Sequence, residues 1–324
     1  MRITITGAAG MVGRKLSARI AADGTVAGKP VTQMTLTDIV EPQAPDGAAF
    51  PVTCFASDFA APETAHKLVD TRPDVLFHLA SIVSGEAEAD FDKGYRINLD
   101  GTRALYDAIR AAGISPRLVF TSSIAVFGAP FPDAIPDEFH ATPLTSYGTQ
   151  KLVCEALLSD YTRRGIFDGV AIRLPTICVR PGKPNKAASG FFSGIIREPL
   201  AGQQAILPVP RDVVHTHASP RSAVGFLLHA AALDGEAIGP RRAITMPGVG
   251  VTVQEQIEAL ARIAGNDAVK LIREEHDETI ARIVAGWPTR FDAARARALG
   301  FAAESSFDEI VRAHIEDELG GLVR

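Results

Sequence analysis

Tyr147 and Lys151 stand four residues apart in SYGTQK, a spacing that sets a phenol and an ammonium on one face of a helix. Such a pair suits alcohol oxidation. A secondary alcohol loses a proton from oxygen as a hydride leaves carbon, so a base must lie within hydrogen-bond reach of the hydroxyl. An unperturbed phenol has a pKa of about 10, and moving it to about 7 takes roughly 4 kcal/mol of preference for the phenolate. The charge of Lys151 is one source of that preference. The spacing alone is common, and its ordinary reading is a half-buried tyrosine beside a solvated lysine. Three hydroxyls, Thr121-Ser122-Ser123, sharpen it, because they close an apolar strand pattern and ligands of open parallel sheets gather at strand carboxyl ends.

A second constellation is Thr6-Gly7-Ala8-Ala9-Gly10-Met11-Val12-Gly13, which lies between the β-branched run RITIT and the helical pattern MVGRKLSARI. Glycines at this spacing, Gly7 and Gly10 first, let the backbone approach a pyrophosphate, whose charge then rests on the helix start at Met11 and Val12. A plain tight turn would account for the glycines alone. Asp38, closing the next strand pattern, stands about where an acid reaches the adenosine ribose hydroxyls. Together they predict a dinucleotide site. A 2′-phosphate would bring about two further negative charges beside Asp38, and no Arg or Lys lies between Gly7 and Gly13, so the expected cofactor is NAD and not NADP. The positive ring of bound nicotinamide is a second aid to a Tyr147 phenolate.

The elements that must position these groups are read from periodicity. Strand patterns fall at Arg2 to Thr6, Met34 to Ile39, Val52 to Phe55, Val75 to Leu79, Leu118 to Thr121 and Gly169 to Ile172, with helical segments between most of them. This predicts an α/β fold, a Rossmann-type doubly wound parallel sheet with helices on both faces. Two long helices are expected. Glu86 to Ala112 carries Phe91, Tyr95, Leu99, Thr102, Leu105, Tyr106 and Ile109 in one stripe, and Ser146 to Arg164 begins with Ser146 as its N-cap. Prolines and glycines crowd the chain after Leu174, with a short helical pattern at Phe191 to Arg197. The expected division is a dinucleotide-binding domain at residues 1–175 and a smaller C-terminal α/β substrate lobe at 176–324, the chain crossing back to the first near 211–250.

Composition removes several alternatives. The 324 residues are 46% apolar and 22% charged, which excludes wholesale disorder. A formal net charge of −5 speaks against a dedicated nucleic-acid binder. Cys54, Cys154 and Cys178 are far apart and lack metal-ligand spacing, so neither a disulfide framework nor a metal site is expected. Apolar runs stay below the roughly 18 residues of a membrane span, and Met1 leads straight into a strand pattern without room for a signal peptide. The expectation is a soluble cytoplasmic protein.

TGAAGMVG, FHLAS (Phe77 to Ser81), RINLDGT (Arg96 to Thr102), FTSSIAVFG (Phe120 to Gly128), YGTQK and RLP (Arg173 to Pro175) run in an order that resembles the extended short-chain dehydrogenase/reductase family, also called the NAD-dependent epimerase/dehydratase family. The resemblance implies a catalytic triad of Ser123, Tyr147 and Lys151, with Ser122 the weaker choice of serine. It implies that Asp58, Leu79, Ala80, Asn98 and Pro175 line the NAD site along with Tyr147 and Lys151, and that members pair as homodimers through the two long helices. Ser81 to Leu105, Arg173 to Gly202 and Ala281 to Phe301 further resemble members that oxidise C2 of a four-carbon sugar acid. A sugar acid brings a carboxylate, for which Arg180, Lys183, Asn185 and Arg290 are candidates. Ser81 and Ser84 are candidates for its hydroxyls, beside Ser123 and Tyr147.

The main rival is a nucleotide-sugar epimerase or reductase, because Arg211-Asp212-Val213-Val214-His215 resembles the RDxxH stretch near the nucleotide of such enzymes. His215 and His217 otherwise read as ordinary polar residues. Against the rival, the proline-rich region offers only Phe191 and Phe192 for stacking a base. A dehydratase would carry an acid within TSSIAVFG, where none occurs. A non-catalytic NAD sensor would keep the glycine turn and lose the Tyr-Lys pair.

Overall fold

RITIT forms strand β1 (Arg2–Thr6), buried from Ile3 onward. A computed structural model of the chain describes residues 1–182 and 188–322. Helix α1 (Met11–Asp23) follows the glycine turn and leads to β2 (Gln33–Asp38) and β3 (Val52–Ala56). Helix α2 (Pro62–Asp70), β4 (Val75–His78), α3 (Gly101–Ala112), β5 (Arg117–Ser123), α4 (Ser146–Arg163) and β6 (Asp168–Leu174) complete the first run. With β9 (Ala243–Thr245) these strands form one parallel sheet in the order β9-β6-β5-β4-β1-β2-β3. Apart from the helix-free link from β2 to β3 at residues 39–51, the crossovers of the first run return through helices, which is why the sheet is covered on both faces.

Alternation along β5 shows how the two faces are sealed. Val119 joins a core with Ile3, Ile5, Leu16, Ile20, Phe226 and Leu227, whereas Leu118 and Phe120 join Leu105, Ile109, Leu158 and Phe167 on the other side. Each of these strand side chains is at most 1% exposed, and removing one such side chain from water contributes about 1.5–3 kcal/mol. Burial on both faces fixes the register, since a one-residue slip would exchange the two sets.

The segment read as one helix from Glu86 to Ala112 is interrupted. Ser84–Ala89 ends at Asp90, whose extended backbone and side chain cap a new turn, Phe91–Gly94, by accepting from the Lys93 amide at 3.0 Å. A wide π turn, Tyr95–Asp100, precedes α3. The apolar stripe survives the break, so periodicity alone conceals it. The wide turn aims Asn98 inward, where its Nδ2 donates to Gln150 Oε1 at 2.8 Å and its Oδ1 accepts from the Ile82 amide at 2.9 Å.

Past Leu174 the chain leaves the sheet through β7 (Thr176–Ile177) and α5 (Gly190–Leu200), the latter longer than the predicted Phe191 to Arg197. Strand β8 (Val214–Ala218) and helix α6 (Pro220–Ala232) return it to β5 and β6, and β9 joins the sheet edge. Strand β10 (Val249–Thr252), helix α7 (Val253–Ala264) and helix α8 (Phe307–Glu318) finish the lobe. Its core gathers Val179, Phe192, Ile195, Leu260, Phe307 and Ile310 around the small sheet β10-β8-β7.

The cap of α4 is Thr145 and not Ser146: the Thr145 hydroxyl accepts from the Gly148 amide at 3.1 Å, and Ser146 is already helical. Thr145→Ala is therefore expected to lower stability by about 1 kcal/mol, close to 2 °C in melting temperature for a chain of this size. Ser146→Ala should leave the thermal midpoint nearly unchanged.

Candidate active site

The last three residues of β5 point in alternating directions and meet different partners. The Thr121 carbonyl accepts from Lys151 Nζ at 2.8 Å. The Ser122 hydroxyl turns to the helix side and donates to Glu155 at 2.5 Å. Ser123 faces the cleft, and its Oγ accepts from the Ala125 amide at 3.1 Å. Ser122 is thus engaged in structure, and Ser123 is the serine available to a ligand.

On α4, Tyr147, Lys151 and Glu155 fall at successive helical turns along one stripe. Gly148 allows the helix to start against β5, because a Cβ there would collide with the Ala125 carbonyl oxygen. Lys151 is 2% exposed, with its ammonium 4.8 Å from the Phe120 ring centre and 5.5 Å from that of Tyr147. Burial pushes this ammonium down to about 8, with Cys154 and Glu155 opposing. Burial also pushes the Tyr147 phenol up. The chief opposing influence is the charge of Arg180, followed by the hydroxyls of Ser123 and Ser81. Spacing alone assigns that part to Lys151, whose ammonium is instead tied to the Thr121 carbonyl beneath the ring.

Arg180 is the candidate cation that reaches the cleft. Its Nε donates to the Ile177 carbonyl at 3.0 Å, its Nη2 lies 3.5 Å from Ser189 Oγ, and its amide donates to Ser193 Oγ at 3.0 Å. These partners are neutral, and residues 183–187 (KPNKA) supply no acid. Lys183 and Asn185 lie outside the described residues. Arg290 does not reach the cleft. Its segment is pinned by the Thr216 hydroxyl on the Thr289 carbonyl at 2.8 Å and by the Ile135 amide on the Arg290 carbonyl at 2.9 Å. That leaves the Arg290 side chain exposed beside Gly250 and turns Trp287 and Pro288 inward.

Ser81 and Ser84 line the same cleft, a cavity of about 330 Å³, with Ser81 Oγ donating to Asn98 Oδ1 at 3.0 Å. Trp287, Thr176 and His215 also line it, and composition and spacing did not single them out for this place. The signal available for Trp287 was that it is the chain's one tryptophan. Arg211, from the same RDVVH stretch as His215, is turned to the surface, where Glu274 and Gln254 hold it at 2.6 to 3.0 Å.

The residues expected to hold a dinucleotide gather near the carboxyl ends of β1, β2, β3 and β4. Gly7 has φ +72°, and a Cβ there would sit 2.7 Å from the Ala80 amide and the Leu79 carbonyl carbon. A Cβ on Gly13 would run into the Gly7 carbonyl oxygen. Only glycine allows the turn to close on the end of β4 with Gly10 and Met11 opening α1. Asp38 accepts from the Ala9 amide at 2.9 Å and the Ile39 amide at 2.7 Å, which locks its carboxylate beside the turn. Asp58, next to the end of β3, is held below the usual carboxylate range, first by the Ala60 amide and then by Arg96. Val12, Leu79 and Pro175 share the cleft lining with Tyr147 and Lys151. A turn that admits no side chain, with an acid fixed beside it and a passage to the Tyr-Lys pair, fits NAD, which is the cofactor of this chain. Among the described residues no cluster of His, Cys, Asp and Glu could hold a metal ion, and no helix is long and apolar enough to cross a membrane.

The Lys151 shift gives a testable sign. Below about pH 8 folded and unfolded chains both carry its proton, and the folded chain bears the full cost of a buried charge. Between about 8 and the ordinary 10.5 only the unfolded chain retains the proton, so this group's contribution to stability rises with pH. Urea midpoints of Lys151→Met, compared with those of the unaltered chain, are expected to shift in favour of the unaltered chain across that window.

Comparison with known proteins bears on the family and the fold. The family model described as the NAD dependent epimerase/dehydratase family matches residues 3–217. A Cupriavidus necator protein named D-erythronate dehydrogenase is 46% identical over 98% of this chain and 98% of its own. Its Haemophilus influenzae namesake is 39% identical over 98% of this chain and 100% of its own. An Agrobacterium tumefaciens structure described as a nucleoside-diphosphate-sugar epimerase is 66% identical, with a TM-score of 0.98 over 100% of this chain and 96% of that one. The doubly wound sheet, the glycine turn and a matched segment that takes in Ser123, Tyr147 and Lys151 place this NAD-dependent dehydrogenase in the NAD-dependent epimerase/dehydratase family.

Proposed function

We propose that the chain oxidises the C2 hydroxyl of a four-carbon sugar acid, D-erythronate, to the 2-keto acid, with Tyr147 as general base. The observation that carries this reading is Arg180. In a 2-hydroxy acid the carboxylate and the reacting hydroxyl sit on adjacent carbons, so the base needs a cation beside it that no other carboxylate has neutralised. Arg180 is that cation: its described side-chain partners are neutral, and its charge acts on the Tyr147 phenol. A guanidinium also matches a carboxylate in bidentate geometry. The names of the Cupriavidus and Haemophilus relatives point to the same substrate.

Each residue then has a task. Arg180 binds the substrate carboxylate, and Ser123 holds the C2 oxygen within reach of Tyr147. The phenolate of Tyr147 takes the hydroxyl proton; the charge of Arg180 is the chief influence favouring it, and the Lys151 ammonium, 5.5 Å from the ring centre, is a second cation beside it. Gly7, Gly10, Met11 and Val12 hold the pyrophosphate, Asp38 the adenosine ribose, and Asp58, Leu79, Ala80, Asn98 and Pro175 the remaining surface of the cofactor. NAD, when bound, supplies the acceptor for the hydride that leaves C2. We place the enzyme in the cytoplasm as a homodimer paired through α3, α4 and the turns before α3, where Phe91 is 59% and Val153 37% exposed.

The Agrobacterium structure, described as a nucleoside-diphosphate-sugar epimerase, favours a second reading, a nucleotide-sugar epimerase. Such an enzyme needs a cation for its diphosphate and room for a base. Arg211 is held at the surface by Glu274, and the cleft beyond Tyr147 is walled by Trp287 and Pro288.

Net NADH formation with D-erythronate, set against conversion of UDP-glucose to UDP-galactose, which consumes no net NAD and is followed by the sugar product, decides between the two, and turnover of the nucleotide sugar alone would reject the aldonate reading. Tyr147→Phe is expected to lower kcat by about 10²–10⁴-fold while leaving NAD affinity nearly intact. Arg180→Met should raise KM for D-erythronate by about 10–100-fold, the range of a hydrogen bond to a charged group.

A further inference from the structure

Thr176 and His215 form a polar pair in the cleft that neither the catalytic triad nor the cofactor turn uses. Thr176 Oγ1 lies 2.7 Å from His215 Nε2, and both residues line the cavity. His215 is 2% exposed, with Phe192 stacked flat on its ring at 5.1 Å and Trp287 at 5.4 Å. Burial pushes its pKa down to about 4, so the ring is neutral at physiological pH. A neutral imidazole has one donor nitrogen and one acceptor nitrogen. Nδ1 closes no hydrogen bond among the described residues, whereas Nε2 faces the Thr176 hydroxyl, and the backbone group that bears on the ring is an acceptor, the Pro288 carbonyl. The favoured tautomer therefore keeps the proton on Nδ1 and leaves Nε2 as an acceptor. The Thr176 hydroxyl must then donate to His215, and only its lone pairs remain for the cleft.

We propose that Thr176, oriented by His215, accepts a hydrogen bond from a hydroxyl on the substrate tail beyond C2 and is the residue that selects a polyhydroxy acid over a simple 2-hydroxy acid. The inference rests on the aldonate reading. In that reading Arg180 takes the carboxylate, and Tyr147 with Ser123 takes the C2 hydroxyl, which leaves the C3 and C4 hydroxyls for the rest of the cleft. Thr176 is placed to meet them, between Pro175 on the cofactor side and Ile177, whose carbonyl holds Arg180 Nε at 3.0 Å. A site built around a committed acceptor rejects an analogue lacking the donor, because the acceptor is then desolvated without a partner. His215 is a positioning residue in this scheme, since it acts through the Thr176 hydroxyl.

The test compares D-erythronate with 2-hydroxybutanoate, which has the same carbon chain without the C3 and C4 hydroxyls. Thr176→Val keeps the shape and removes the acceptor. It is expected to lower kcat/KM for D-erythronate about tenfold or more and to leave 2-hydroxybutanoate within about twofold, with most of the loss in KM. Thr176→Ser should restore the preference. His215→Phe keeps an aromatic ring against Phe192 but frees the Thr176 hydroxyl to donate, so a smaller loss of the same selective kind is expected. Quenching of Trp287, the chain's one tryptophan, reads substrate affinity in the NAD-loaded protein independently of turnover. Equal losses on both substrates, or none on D-erythronate with Thr176→Val, would overturn the proposal and leave the aldonate reading standing. An unaltered chain that oxidises neither substrate would overturn both.

Discussion

Glu155 is a carboxylate buried between helix and sheet, and its neutralisation ties together the three elements that carry the candidate site. Its side chain is 4% exposed. Ser122 of β5 donates to it at 2.5 Å, and Arg173 of β6 grips both of its oxygens, through Nε at 2.9 Å and Nη2 at 2.7 Å. An ion taken out of water costs several kcal/mol unless such partners saturate it, and removing one partner from a buried pair typically costs about 3–5 kcal/mol. Each partner neighbours a residue of the cleft. Ser123 follows Ser122, Arg173 leads through Leu174 to Pro175 and Thr176, and Lys151 and Tyr147 precede Glu155 by one and two turns of α4. Sliding any of the three elements by a residue would leave a carboxylate without its donors. The register that seals the core thereby also sets the separation between the serine, the phenol and the cofactor wall.

Much of this was legible in the sequence because it is local. The glycine turn, Asp38, the hydroxyls at the end of β5 and the Tyr-Lys pair are each set by spacing within one strand-helix unit, and the parallel sheet follows from their alternation. Boundaries were less legible for physical reasons. The break at Asp90 leaves the apolar stripe of the following turns in phase, so periodicity cannot register it, whereas the capping bond to Lys93 can. Ser146 and Thr145 are both good cap residues, and only the backbone of Thr145, extended at φ −134° and ψ 152°, separates them.

The substrate side was harder to read because its residues come from segments far apart in the chain. Arg180 stood among four candidates of equal standing; what distinguishes it is that its described side-chain partners include no acid, together with its influence on Tyr147, and neither is a property of spacing. Arg290 looked equivalent, but backbone bonds from Thr216 and Ile135 turn its segment so that Trp287 enters the cleft in its place. His215 lay in a stretch that suggested a nucleotide. Strand β8 carries it inward against Phe192, and Arg211, four residues earlier, pairs with Glu274 outside. One short motif therefore splits between the interior and the surface, and the motif by itself could not report that.

The charge layout of the cleft bears on the class of ligand it suits. Lys151 and Arg180 both have their pKa pushed down by burial, and both bear on the same phenol region. Glu155, the carboxylate nearest to Lys151 in effect, has its oxygens committed to Ser122 and Arg173, and Lys151 itself donates to a neutral carbonyl. Two cations held near one phenol, with no carboxylate hydrogen-bonded to either side chain among the described residues, are an unfavourable arrangement in a low-dielectric wall. Two negative charges relieve it, one from a bound carboxylate and one that develops on Tyr147 as the proton leaves the alcohol. A neutral sugar ring would supply only the second, and a diphosphate would place its charge at the far end of a much longer ligand. A small hydroxy acid brings its carboxylate and its reacting oxygen together on adjacent carbons, which is the separation that a guanidinium and a phenol facing the same cavity are suited to bridge.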